Sequence, residues 1–175
     1  MNNREVWDAY DAEGNKLGFD LYRDEAEKIP EGIYHIVAEV ITVTKQKEVL
    51  ITQRDPRKPF GSKWEFTGGS VTKGESPLSG AVRELLEETG IRQFPENLTL
   101  LKIMPSGNGL YYIYANTVEC PDVHVELKEG ETVAYRFVPQ EELKAAVNSD
   151  IFALPVREKF PMYEKPLFAY INAIK

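Results

Sequence analysis

Three glutamates, Glu84, Glu87 and Glu88, are spaced so that a helix would carry all three carboxylates on one flank. Like charges at that spacing repel and weaken the helix, so a compensating cation is expected. The stretch from Ser76 to Thr89 holds a single basic residue, Arg83. A hard divalent ion meets the need better. Magnesium takes oxygen ligands, accepts one or two carboxylates and completes its shell with water and phosphate oxygens. An ion held in this way neutralises phosphate charge and lowers the pKa of bound water. The chemistry these residue types suit is a divalent ion bridging carboxylates to a phosphate group.

The elements that must position these groups are legible around them. Ser76 can cap a helix, Pro77 suits its first position and Gly90 suits its end. Leu78, Ala81, Val82, Leu85 and Leu86 recur at helical spacing and form a face to bury against a sheet. Gly68, Gly69 and Gly74 lie before the helix, where glycine lets backbone approach a metal or phosphate. Arg83 is adjacent to Glu84 and faces elsewhere; pairing with Glu75 or Glu87 would fix the loop to the helix.

Strand-like runs occupy Val6 to Tyr10, Leu17 to Tyr22, Ile33 to Thr44, Glu48 to Arg54, Leu98 to Met104, Leu110 to Glu119 and Thr132 to Val138, with Trp64 to Phe66 a short candidate. The first two flank a turn containing Gly14-Asn15, a hairpin signature. Pro139 to Val147 and Tyr163 to Ile174 read as helices. Strands, one long helix, more strands and then helices give an α+β class with a mixed sheet. The expected organisation is a single domain over 1–175, with a hairpin extension at 1–32, a core at 33–147 and a C-terminal helix in 148–175.

The chain has 175 residues, 42% hydrophobic and 28% charged, with a formal net charge of -7. That balance argues against a nucleic-acid polymer or a membrane surface as partner. One cysteine, Cys120, provides no internal disulfide and no thiolate metal site; it is expected to be a small, partly buried side chain. The first residues carry no apolar run, and the expectation is a cytoplasmic protein.

The segment Gly69 to Ile91, GSVTKGESPLSGAVRELLEETGI, resembles the Nudix box of the MutT-related hydrolases, G-x5-E-x7-R-E-U-x-E-E-x-G-U with U aliphatic, at every defined position. Gly61 to Gly69 is similar to the family's G-K-W-x-x-P-G-G, with Thr67 where proline is usual. The resemblance implies a Nudix-type α/β/α sandwich with an N-terminal β-hairpin added. It also implies hydrolysis of a phosphoanhydride bond in a nucleotide or nucleoside-diphosphate-linked small molecule, with Mg2+ or Mn2+ as cofactor. Glu84, Glu87 and Glu88 then become metal ligands, joined by Gly68 through its backbone carbonyl. Arg83 and Glu75 become a salt bridge. The general base falls on Glu84 or on a glutamate of a later loop, Glu129 or Glu131, which are also candidate ligands. A homodimer through the hairpin is a family-level expectation.

Arg54, Arg57, Lys58, Lys63 and Lys73 are the natural phosphate contacts near the box. Tyr111, Tyr112, Tyr114 and Tyr135 are candidates for stacking on a base. The N-terminal half, with Trp7-Asp8-Ala9-Tyr10-Asp11, Gly18, Arg23 and Gly32 to His35, resembles the Nudix branch related to isopentenyl-diphosphate isomerases. That likeness makes His35 a candidate for substrate binding. The isomerases also need a cysteine and a further histidine before the box, and Trp64 to Gly69 has neither. His124 reads as a surface residue. Two rival readings remain: a non-catalytic nucleotide-binding Nudix module, and an isomerase-like enzyme on isoprenoid diphosphates.

Overall fold

The computed structural model describes residues 4–119 and 124–175, so Cys120 lies outside the described residues. In chain order the elements are β1 (Val6–Tyr10), β2 (Lys16–Tyr22), β3 (His35–Thr44), β4 (Glu48–Arg54), β5 (Trp64–Glu65), β6 (Thr67–Ser70), α1 (Pro77–Thr89), β7 (Thr99–Ser106), β8 (Gly109–Val118), β9 (Thr132–Pro139), α2 (Gln140–Asn148) and α3 (Leu154–Ala173). A 3-10 turn, Arg23–Lys28, follows β2.

The β-branched run of β3 makes it the central strand, buried on both faces. It pairs in parallel with β8 along its full length, from His35↔Gly109 to Thr44↔Val118. β7 extends the sheet antiparallel to β8. β3 and β4 pair at Val43↔Val49 and then part: β3 takes β6 as its neighbour, while β4 takes β9 and β5. The mixed sheet therefore forks into two leaves.

Period-two alternation sends β3 side chains to two different helical layers. Ile36, Ala38 and Val40 face Ala81 and Leu85 of α1, together with Leu50 of β4 and Tyr114 of β8. Ile41 and Val43 face Phe160, Tyr163, Leu167 and Ile171 of α3. Both helices touch both leaves, giving the expected α/β/α arrangement. β1 and β2 form a separate two-stranded hairpin with its own small core of Trp7, Ala9 and Leu21. Among the described residues no helix is long and apolar enough to cross a membrane.

Two expectations needed correction. The C-terminal helix begins at Leu154 rather than Tyr163. Pro166, already within the expected span, and Pro161 both lie inside the helix. The buried stripe Val156, Phe160, Tyr163, Leu167 and Ile171 holds the helix on the sheet despite its lost backbone bonds. The Gly68-Gly69 segment forms a strand because β3 lies so close. A Cβ on Gly68 would sit 2.5 Å from the Ala38 carbonyl oxygen.

α1 has the ends its sequence signals, but its buried face is narrower than expected: Ala81 and Leu85 are buried, Leu78 and Val82 are half-buried and Leu86 is exposed. The Ser79 amide donates to the Ser76 hydroxyl at 3.1 Å, and Gly90 ends the helix at φ 72. Leu85 is fully buried beneath it. Leu85→Ala should therefore cost about 2–5 kcal/mol in urea unfolding. A loss well under 1 kcal/mol would show that α1 is not seated on the sheet as described.

Candidate functional site

Glu84, Glu87 and Glu88 reach one cavity of about 430 Å³ from the α1 side, opposite Gly68, Gly69 and Ser70 of β6. The fit is tight at Gly69, where a Cβ would lie 2.5 Å from the Glu84 carboxyl carbon. Glu88 is 7% exposed, and its Oε2 accepts from the Gly68 amide at 3.2 Å. Burial, then the charges of Glu65 and Glu84, push Glu88 up to about 8. Burial also raises Glu84, opposed by its bond to Arg83.

Arg83 organises the loop before the helix. Its Nε donates to Glu75 Oε1 at 3.0 Å and its Nη2 to Glu75 Oε2 at 2.9 Å. Nη2 also reaches the Ser70 carbonyl, and Nη1 donates to Glu84 Oε1 at 2.6 Å. Those bonds, Glu75 first, hold the guanidinium more firmly protonated than usual. The Arg83–Glu75 pair expected from sequence is present, but Arg83 does not face away from Glu84 as expected: its long side chain reaches round to bond Glu84 and lines the same cavity.

Basic residues line the same cavity. Lys58 pairs with Glu131, Lys128 with Glu87 at 3.1 Å, and Arg54 with Glu65 at 2.5 Å. Arg23 and Glu5, from the hairpin, complete the rim. Arg54 also donates from Nε to the Pro59 carbonyl at 2.7 Å, pinning a loop in which Phe60 and Ser62 hold positive φ. Arg54, Pro59 and Gly68 border a second cavity of about 250 Å³, lined by Phe60, Phe66, Tyr111 and Val156.

Some candidates stand apart from the cleft. Arg57 is exposed and bonds back to Asp55, and Lys63 donates to the Asp150 carbonyl at 2.6 Å. Lys73 pairs with Asp20. His35 is 6% exposed and stacked on Trp7 at 3.9 Å; burial lowers it to about 4, so it is neutral near pH 7. Neither cavity is lined by His35, Arg57, Lys63 or Glu129. Glu131 lines the cleft, whereas Glu129 is exposed beyond it. Of the tyrosines, Tyr111 lines the second cavity, Tyr112 and Tyr114 join the α1-side core, and Tyr135 is exposed. His124 is exposed.

Sequence reasoning missed Glu65, Lys128, Arg23 and Glu5. Glu65 had a signal: it is the one charged residue between Trp64 and Gly69. The other three lie far from the box in sequence, and folding alone brings them in.

Among the described residues, no three His, Cys, Asp or Glu side chains are grouped closely enough to enclose an ion. Glu84 and Glu87 turn to Arg83 and Lys128. Glu88 is different: it is buried, with only an amide donor and no ion-pair partner among the described residues. A buried carboxylate in that setting, flanked by further carboxylates and glycine backbone, suits an oxygen-seeking divalent cation.

A family model described as the NUDIX domain matches residues 33–157. An RNA pyrophosphohydrolase of Nitratiruptor is 32% identical over 123 residues, 62% of this chain and 78% of its own. An uncharacterised Nudix hydrolase of Listeria monocytogenes is 29% identical over 153 residues, 85% of this chain and 88% of its own. A crystal structure of a Deinococcus radiodurans protein superposes with a TM-score of 0.72 at 17% identity, covering 91% of this chain and 99% of that one. That last likeness concerns fold alone.

The Glu88 environment has a consequence for stability. The folded carboxyl holds its proton up to about 8, against 4.5 for the ordinary group. Between those values the folded state binds more protons than the unfolded state, so stability falls as pH rises through that window and levels above it. In divalent-free buffer, urea midpoints should drop from the lower to the upper end of this range. Glu88→Gln should flatten the drop and raise stability at the upper end. An equal drop in the variant would place the titration elsewhere.

Proposed function

The chain belongs to the Nudix family, and we propose that its cleft hydrolyses a phosphoanhydride bond in a nucleotide or a nucleoside-diphosphate-linked small molecule. The observation that carries this reading is the meeting of Glu84, Glu87, Glu88 and the Gly68 backbone with basic side chains in one cavity. Glu84, Glu87 and Glu88 would hold magnesium or manganese, which supplies phosphate charge neutralisation and a more acidic bound water.

The chain's own groups have separable tasks. Arg83, tied to Glu75 and the Ser70 carbonyl, fixes Glu84 and the glycine strand relative to each other. Lys58, Lys128 and Arg54 offer positive charge to the phosphate chain. Each is already paired with a carboxylate, so an arriving phosphate takes over a cation that the fold has positioned. Of the candidate bases for the attacking water, Glu84 and Glu131 line the cleft and Glu129 does not. The remaining part of the substrate has the second cavity beside it, where Phe60, Phe66 and Tyr111 suit a flat apolar ring.

A panel of nucleoside diphosphate derivatives and nucleoside triphosphates, assayed with magnesium or manganese and with products identified, tests the activity. Glu88→Gln should lower kcat roughly 10²–10³-fold, as expected when an electrostatic element of the transition state is removed. Near-normal turnover of that variant under saturating magnesium would take Glu88 out of the metal site.

A further inference from the structure

We infer that Arg23, delivered by the N-terminal hairpin, binds a phosphate group of the substrate, which makes the hairpin part of the active site. The inference rests on the proposed phosphoanhydride chemistry. It concerns residues outside the matched 33–157 segment.

The hairpin is fixed to the very loop that carries the site. The Lys73 amide donates to the Val6 carbonyl at 2.9 Å, and the Gly74 amide donates to Asp8 Oδ2 at 2.8 Å. Lys73 Nζ reaches Asp20 at 2.6 Å. All three contacts fall just before Glu75, the partner of Arg83. Tyr10 and Tyr34 exchange backbone bonds at 2.8 and 2.9 Å, and Trp7 lies flat on His35. None of these contacts involves the Arg23 side chain.

Arg23 is aimed rather than buried. Glu5 Oε1 accepts from the indole of the buried Trp7 at 2.8 Å, and Glu5 Oε2 accepts from Arg23 Nη1 at 2.7 Å. Among the described residues this is the only bond its guanidinium makes, and the side chain is 62% exposed. An ion pair that exposed adds little to stability. The rest of the planar donor fork is left for a ligand, and that fork matches phosphate oxygens.

The cleft supplies the reason for an anion. Arg23 lines the same cavity as Lys58 and Arg54, together with Glu84 and Glu88. Lys58 is lowered by burial, then by Arg54, and also by Arg23, against the pull of Glu88 and Glu65. Each of the three cations is held by its own carboxylate, Glu5, Glu131 or Glu65, and a phosphate arriving in the cavity they share can draw on all three.

Arg23→Gln and Arg23→Lys test the inference in the full chain. Inorganic pyrophosphate binding, measured by calorimetry, gives a readout independent of turnover, and KM and kcat are taken on the best substrate of the panel. Arg23→Gln should weaken pyrophosphate binding and raise KM roughly ten-fold, with kcat and Tm nearly unchanged, because the contact is made equally in ground and transition states. Arg23→Lys should fall between, keeping charge but losing the fork. Unchanged pyrophosphate affinity and KM in both variants would overturn the inference, whatever the Tm, while an active wild type leaves the hydrolase reading standing. A wild type that neither binds pyrophosphate nor cleaves any nucleotide would remove both.

Discussion

Carboxylate crowding on α1 is the constraint around which the rest of the structure is arranged. Glu84, Glu87 and Glu88 share one flank of a helix whose other flank is sealed against the sheet through Ala81 and Leu85. The helix cannot rotate to relieve the repulsion without exposing its apolar face. The charges must be answered where they stand. Arg83 and Lys128 answer two of them, and Glu88 is left with a single amide donor in a buried setting. An arrangement that raises the proton affinity of a buried carboxylate costs stability, and such a cost marks a site built for a ligand of opposite charge.

The forked sheet is the scaffold for this arrangement. Had β3 and β4 stayed paired beyond Val43↔Val49, β6 could not lie beside β3. The glycine strand would then have no place opposite α1. The requirement for glycine follows from two close approaches, to the Ala38 carbonyl at Gly68 and to the Glu84 carboxyl at Gly69. The same fork opens the neighbouring cavity between Tyr111 of β8 and Val156 of α3. Charge and apolar surface thus meet at Arg54, Pro59 and Gly68, which border both spaces.

Much of this was legible in the sequence because its signals are local. Ser76, Pro77 and Gly90 bracket α1 by capping chemistry, and of the two partners that spacing offered Arg83, Glu75 and Glu87, the family resemblance singled out Glu75, which holds it by two bonds. The long strands announced themselves by β-branched alternation. What was misread depended on tertiary contact. Leu154 to Met162 was not recognised as helix because Pro161 interrupts it and the stripe that holds it has value only against the sheet. Arg57 and Lys63 looked equivalent to Arg54 and Lys58, but their nearest acceptors, Asp55 and the Asp150 carbonyl, turn them away. His35 looked like a ligand by position and proved to lie under Trp7. Arg23 and Glu5 carry no local mark of a place at the cleft, because the hairpin is brought there by contacts distant in sequence, at Lys73 and Gly74, at Tyr34 and at His35.

The central claim is that the acidic flank of α1 and the glycine strand together hold a divalent cation. A titration with Mn2+, followed through the backbone amide signals of the isotopically labelled protein, tests it most directly. The account predicts paramagnetic broadening confined at first to Gly68, Gly69, Glu84, Glu87 and Glu88, and reversed by excess magnesium. Broadening centred on another part of the chain, or none at these five positions with or without nucleotide, would contradict it.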